Sequence, residues 1–175
     1  LDSRDRDKSA LMLVDLNTKA RTIVAESDKS DVGYVISDPV TSEALAYASE
    51  YDRMEWTALK PELDGDIKFL NKQASGFWTL LSQSKNNNLW TVWIDNSGEP
   101  IKFGLYDRKK RTLKTLFAAR PNLEGAPLPL MHARVIKARD GLDLVSYVTL
   151  PKGSDSDGDG VPNKPLPLVL MVHGG

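Results

Sequence analysis

Between Ala10 and Phe117 the apolar residues come in short runs, many of them alternating with polar residues, and each run ends in a polar turn signal. A period of two puts every second side chain on one face of a strand. Tight polar turns between such runs make the strands antiparallel neighbours. The clearest set begins at Phe77. Phe77 to Ser82 reads as a strand, Lys85-Asn86-Asn87-Asn88 as a turn, and Leu89 to Ile94 as the next strand. In that strand Trp90, Val92 and Ile94 share one face, and Thr91 and Trp93 the other. Asp95-Asn96-Ser97-Gly98 turns the chain into Ile101–Tyr106, and Asp107–Lys110 turns it into Leu113–Phe117. Four strands so connected form an antiparallel meander, the unit of a propeller blade.

The same signature occurs earlier. Leu13-Val14-Asp15, Lys19 and Ile23-Val24-Ala25 match Leu105-Tyr106-Asp107, Arg111 and Thr115-Leu116-Phe117-Ala118, each a strand, a charged hairpin turn and a second strand. Their separation is close to twice the ~40–45 residues of a propeller blade. The blade between them is expected to hold strands at Val32–Ile36, Ala44–Ser49 and Glu55–Leu59, with its fourth strand unclear. Leu63, Ile67 and Leu70 have helical spacing, which predicts a short helix over Leu63–Leu70. Two to three blades leave pairing edges open, so the remaining blades are expected before Leu1.

The character changes after Arg120. Pro121–Pro129 is rich in proline and leucine and reads as part of an ordered linker over 121–133. Arg134–Lys137 and Leu142–Leu150 form a predicted hairpin about the turn Arg139-Asp140-Gly141. A polar loop, Lys152–Lys164, leads to Pro165-Leu166-Pro167-Leu168-Val169-Leu170-Met171-Val172, short enough for a buried strand of an α/β sheet. That strand would deliver His173-Gly174-Gly175 at its C-terminal end, where open α/β sheets place their sites.

Composition removes several function classes. The formal net charge of the 175 residues is −1, which leaves no basic excess for phosphate neutralisation and argues against nucleic acid as a partner. Cysteine is absent, which excludes disulfides, thiolate metal sites and cysteine nucleophiles within these residues. No apolar run has membrane-spanning length. A soluble protein is expected, with the compartment open between cytoplasm and periplasm or secretion and the oligomeric state undetermined. The charged start without methionine and the apolar end at Gly174-Gly175 both read as cut.

Ala138-Arg139-Asp140-Gly141-Leu142, then Leu150-Pro151, then Pro167–Gly175 resembles the start of the hydrolase domain in serine peptidases of the prolyl oligopeptidase family. In that family a β-propeller precedes the hydrolase domain, and the order of elements is similar over nearly the whole chain. Acylaminoacyl-peptidase-like and dipeptidyl-peptidase-like members look nearest, since prolyl oligopeptidase itself usually carries tyrosine where His173 stands. The resemblance implies a mainly β chain: a partial propeller over 1–120, then the first strands of an α/β-hydrolase domain over 134–175. It implies a peptide substrate cleaved through an acyl-enzyme, with no cofactor. The G-x-S-x-G elbow, the acid and the catalytic histidine would follow Gly175, so the segment alone is expected to be inactive.

Within the chain the resemblance gives Gly175 the role of a backbone oxyanion donor, Gly174 that of its geometric support, and His173 that of a positioning residue. Such a donor is worth about 3–4 kcal/mol to the transition state. Two other readings stand beside this one: a non-catalytic propeller that binds proteins, and an esterase of the same fold.

Asp155-Ser156-Asp157-Gly158-Asp159-Gly160 resembles a calcium loop, but Leu166 stands where an EF-hand places its bidentate glutamate. The expectation is an exposed acidic turn, with Asp155, Asp157 and Asp159 a weak metal candidate and no high-affinity calcium site. His132 reads as a packed or surface linker residue. Arg53 or Glu55, in a blade loop, could bind a peptide terminus, though a salt bridge at a strand edge is the simpler expectation. Trp78, Trp90, Trp93 and Phe103 read as packing between blades. Ser82 and Ser84 lack a nucleophile's context.

Overall fold

The computed structural model describes residues 1–74 and 77–172. Its chain is mainly β, in antiparallel sheets whose strands follow chain order. A hairpin of β1 (Leu11–Val14) and β2 (Arg21–Ala25) comes first. A three-stranded sheet follows, β3 (Val32–Ser37), β4 (Ala44–Glu50) and β5 (Met54–Ala58). After one helical segment comes the expected meander, β6 (Phe77–Gln83), β7 (Leu89–Asp95), β8 (Lys102–Asp107) and β9 (Thr112–Ala118). The last pair is β10 (Met131–Lys137) and β11 (Asp143–Thr149).

The hairpin turns explain why the strands stop where they do. Asp15 Oδ1 accepts the backbone N–H groups of Asn17 and Thr18 at 2.8 and 2.9 Å. Asp38 Oδ1 accepts those of Val40 and Thr41, both at 2.8 Å. Asp107 Oδ1 accepts that of Lys110 at 3.1 Å. Each turn closes on a residue with positive φ: Lys19 at 62°, Ser42 at 62° and Arg111 at 50°. The repeat read at Asp15 and Asp107 therefore has a third copy at Asp38, which the alternation of its flanking strands did not reveal.

The helix occupies the predicted place and runs further. A 3-10 turn over Pro61–Leu63 leads into α1 (Asp64–Gln73). Proline opens the turn, where its missing N–H costs nothing, and Glu62, Asp64 and Asp66 complement the positive N-terminal end. Leu63, Ile67 and Leu70 form its buried stripe. That stripe joins one core with Ile36, Leu45 and Trp56 of the three-stranded sheet and Trp78, Trp90, Val92 and Tyr106 of the meander. Trp56 stacks on Trp78 at 5.0 Å between ring centroids and donates its Nε1–H to the Trp78 carbonyl at 3.0 Å. The tryptophan contact thus joins the two sheets. Phe103 instead stacks on Phe117 at 4.8 Å within the meander.

Two expectations after Arg120 change. β10 starts at Met131 rather than Arg134, because Met131, His132 and Ala133 find partners in Thr149, Val148 and Tyr147. The run 165–172 forms no strand. A buried strand needs neighbours on both edges and cover on both faces. The described residues supply neither, and Leu168–Val172 stand open to solvent.

Candidate functional site

His173, Gly174 and Gly175 lie outside the described residues. What the structure does describe is the surface between the sheet loops and the β10–β11 hairpin. The β4–β5 turn meets that hairpin through two tyrosines. Tyr147 donates its hydroxyl to the Asp52 carbonyl at 3.2 Å, and Tyr51 donates to Asp143 Oδ2 at 3.5 Å. Beside these contacts opens a cleft of about 260 Å³ whose walls include Asp52, Arg53, Phe77, Asp95, Met131 and Tyr147. Arg53 Nε is 3.1 Å from Glu55 Oε1, and both side chains are exposed, the geometry of a strand-edge salt bridge.

Asp95 ends β7 and faces Phe77 in register. Its carboxyl is half-buried, and burial raises its pKa above the ordinary range. No side-chain hydrogen bond or ion pair of Asp95 offsets that cost among the described residues. This carboxylate was read only as part of a turn in the sequence. Its one usable signal was a charge at the end of a strand with a buried face.

The acidic loop is exposed at Asp157, Gly158 and Asp159, as expected, and meets the hairpin at Asp155 and Gly160. Asp155 Oδ1 accepts the N–H groups of Gly158 and Asp159 at 2.8 and 3.2 Å, and Oδ2 accepts that of Gly160 at 2.8 Å. Burial works against ionisation of Asp155. The Gly160 N–H, the neighbouring Asp157 and the N–H groups of Gly158 and Asp159 outweigh it and hold the carboxyl below its ordinary range. His132 belongs to β10, not to a linker, and its Nε2 lies 3.6 Å from Asp155 Oδ2. The Arg134 guanidinium donates to the Asp159 carbonyl. Gly160 has φ of 76°, and a Cβ there would come within 2.8 Å of the His132 ring, so the close approach requires glycine. Asp155, Asp157 and Asp159 each bring a carboxylate oxygen within 4.8 Å of the others. Three Asp155 lone pairs are already engaged by the backbone, which leaves a cation few of the 6–8 oxygens that calcium takes.

A third polar cluster escaped the sequence reading. Asp66, on α1, is 4% exposed. It accepts the Tyr106 hydroxyl at 2.7 Å and the Arg108 Nε at 2.9 Å, and Arg108 Nη2 lies at 2.8 Å. Arg108 also sits 4.8 Å above the Trp90 ring and donates to the Asn87 carbonyl. Burial, then the Asp66 carboxylate, pushes the Tyr106 hydroxyl well above its usual pKa. The cluster anchors the helix to the meander, and Asp66 and Arg108 also line a shallow cavity with Asn86–Asn88 and Arg111.

Curated proteins similar to the chain carry dipeptidyl peptidase names. The chain is 38% identical over 174 residues to dipeptidyl aminopeptidase BIII of Pseudoxanthomonas mexicana, covering 99% of the chain and 25% of that protein. It is 26% identical over 170 residues to dipeptidyl peptidase family member 6 of Caenorhabditis elegans, covering 89% of the chain and 23% of that protein. The chain spans about a quarter of the length of these curated relatives. No family model and no solved structure matches it. Along nearly its whole length the chain is homologous to dipeptidyl peptidase family members, in keeping with the resemblance to the prolyl oligopeptidase family.

Proposed function

We propose that this chain is part of a serine-type peptidase that cleaves short peptides through an acyl-enzyme. Its strands up to Ala118 would be blades of a propeller, and its end would be the opening of an α/β-hydrolase domain. The observation that carries the reading is the 38% identity to a dipeptidyl aminopeptidase along 99% of the chain. Antiparallel strands in chain order, ending in a hairpin that precedes the apolar run, support it.

In this reading the chain contributes one chemical element, the Gly175 N–H. Attack on a peptide carbonyl places negative charge on its oxygen, and a donor already aimed there stabilises that charge without reorganisation. Gly174 lets the substrate approach, and His173 positions the turn. The nucleophile, acid and base would be supplied after residue 175, so the 175 residues alone form no acyl-enzyme.

The test is Gly175→Pro in the full-length protein. Proline removes the N–H, so acylation is expected to slow by roughly two to three orders of magnitude, with substrate binding weakened far less. Circular dichroism and thermal melting must show the variant folded. Near-normal turnover in a folded variant would reduce Gly175 to a turn residue.

A further inference from the structure

The cleft beside the β10–β11 hairpin carries charge that the fold leaves unused. Asp95 and Asp52 both line it, and neither carboxylate has a side-chain partner among the described residues. The one cation among the described residues that line the cleft, Arg53, is already engaged by Glu55. A half-buried carboxylate with no donor among the described residues is costly to keep ionised, and this one lines an open cleft. The lining also includes Phe77, the cross-strand partner of Asp95, and Met131 and Tyr147 from the hairpin, which are apolar or aromatic.

We propose that this cleft binds the cationic side chain of a peptide, a lysine ammonium or an arginine guanidinium, with Asp95 as its counter-charge. The assignment rests on the peptidase reading for the ligand being a peptide. An alkyl stem can lie along Phe77, Met131 and Tyr147 while its charged tip reaches the carboxylate. An aromatic wall favours an organic cation further. A metal ion is a poorer occupant, because two carboxylates and a neighbouring guanidinium do not make the oxygen cage that calcium takes. The tyrosine contacts from Tyr147 to Asp52 and from Tyr51 to Asp143 fix the hairpin against the sheet loops and so hold the two walls together.

The experiment titrates the chain, with amide shifts followed by NMR, against three probes. They are Nα-acetyl-lysine methylamide, its uncharged analogue Nα-acetyl-norleucine methylamide, and alanyl-alaninamide, which has a free α-amine and no basic side chain. The lysine probe is expected to bind at least about tenfold more tightly than the norleucine probe, the scale of one charge-assisted contact. Asp95→Asn, checked for folding by circular dichroism, is expected to erase that difference. The probe comparison needs no variant, so it holds even if Asp95→Asn fails to fold.

Equal binding of the lysine and norleucine probes, no binding of either, or a preference that survives in Asp95→Asn would overturn the proposal. Binding of alanyl-alaninamide as tight as that of the lysine probe would overturn the side-chain assignment, because the cleft would then be reading a peptide's α-amine. These outcomes are separate from the Gly175→Pro test: hydrolysis can fail while the cleft still binds the lysine probe, and the reverse.

Discussion

Two carboxylates in this chain show how burial and partnership trade against each other. Asp66 is deeply buried but has a hydroxyl and a guanidinium on its oxygens. Removing it strands Arg108 and Tyr106 in a low-dielectric site, and breaking a buried pair costs roughly 3–5 kcal/mol. Arg108 keeps some contact with water, so Asp66→Ala should lose about 3 kcal/mol, read from the shift of the urea midpoint. A loss within the scatter of ordinary surface substitutions would mean that the cluster is ornamental. Asp95 is the opposite case, less buried but unpartnered. Its folded pKa lies above the unfolded value of 3.8. A carboxyl raised in this way favours the folded state only when protonated, so its contribution is lost as pH rises through the folded pKa. Asp95→Asn should therefore raise the melting temperature at neutral pH, with the gain fading as pH falls through the folded pKa and gone below pH 3.8. The variant expected to lose cation binding is thus expected to gain stability, which a structural carboxylate would not do. Neither residue was legible as a partner in the sequence. Asp66 sits one position from the apolar stripe of its helix, and its partners lie 40 and 42 residues away.

At the scale of elements, the strands were legible because alternation acts locally. Trp90, Val92 and Ile94 all turn inward from β7, as their spacing required. The helix was legible for the same reason, since Leu63, Ile67 and Leu70 mark one face whatever they pack on. The run 165–172 shows the limit of that logic. An apolar stretch can state that it needs cover, but the cover comes from other elements. The turns carry a signal of another kind, an aspartate followed four residues later by a left-handed residue. Ser42 holds that position with φ of 62°, where an L side chain is strained and glycine is not. Ser42→Gly should stabilise the chain by about 0.5–1 kcal/mol, and Ser42→Val should destabilise it, both measured by thermal melting at one pH. If glycine fails to help, the strain is relieved elsewhere in the β3–β4 hairpin.

For the molecule as a whole, the balance of covered and open apolar surface is uneven. One core joins α1 to the two larger sheets. Leu13 and Ile23 on the first hairpin, Phe117 on β9 and Val135, Ile136 and Leu144 on the last hairpin remain exposed. In the proposed reading the first three face neighbouring blades and the last three face the hydrolase domain. The run Leu168–Val172 is the most open of all, at 78–88% exposure, and none of it joins the core. Contiguous apolar surface of this kind drives association and dye binding. A chain ending at Lys164 should therefore bind less of an apolar fluorescent dye and self-associate less at a matched concentration. Its melting temperature should stay within about 2 °C of the longer chain's, because no core contact is lost. Dye binding should not vanish, since the hairpin faces remain. A fall of several degrees on truncation would show that the run packs against the sheets in solution and contributes to the fold of the 175-residue chain itself.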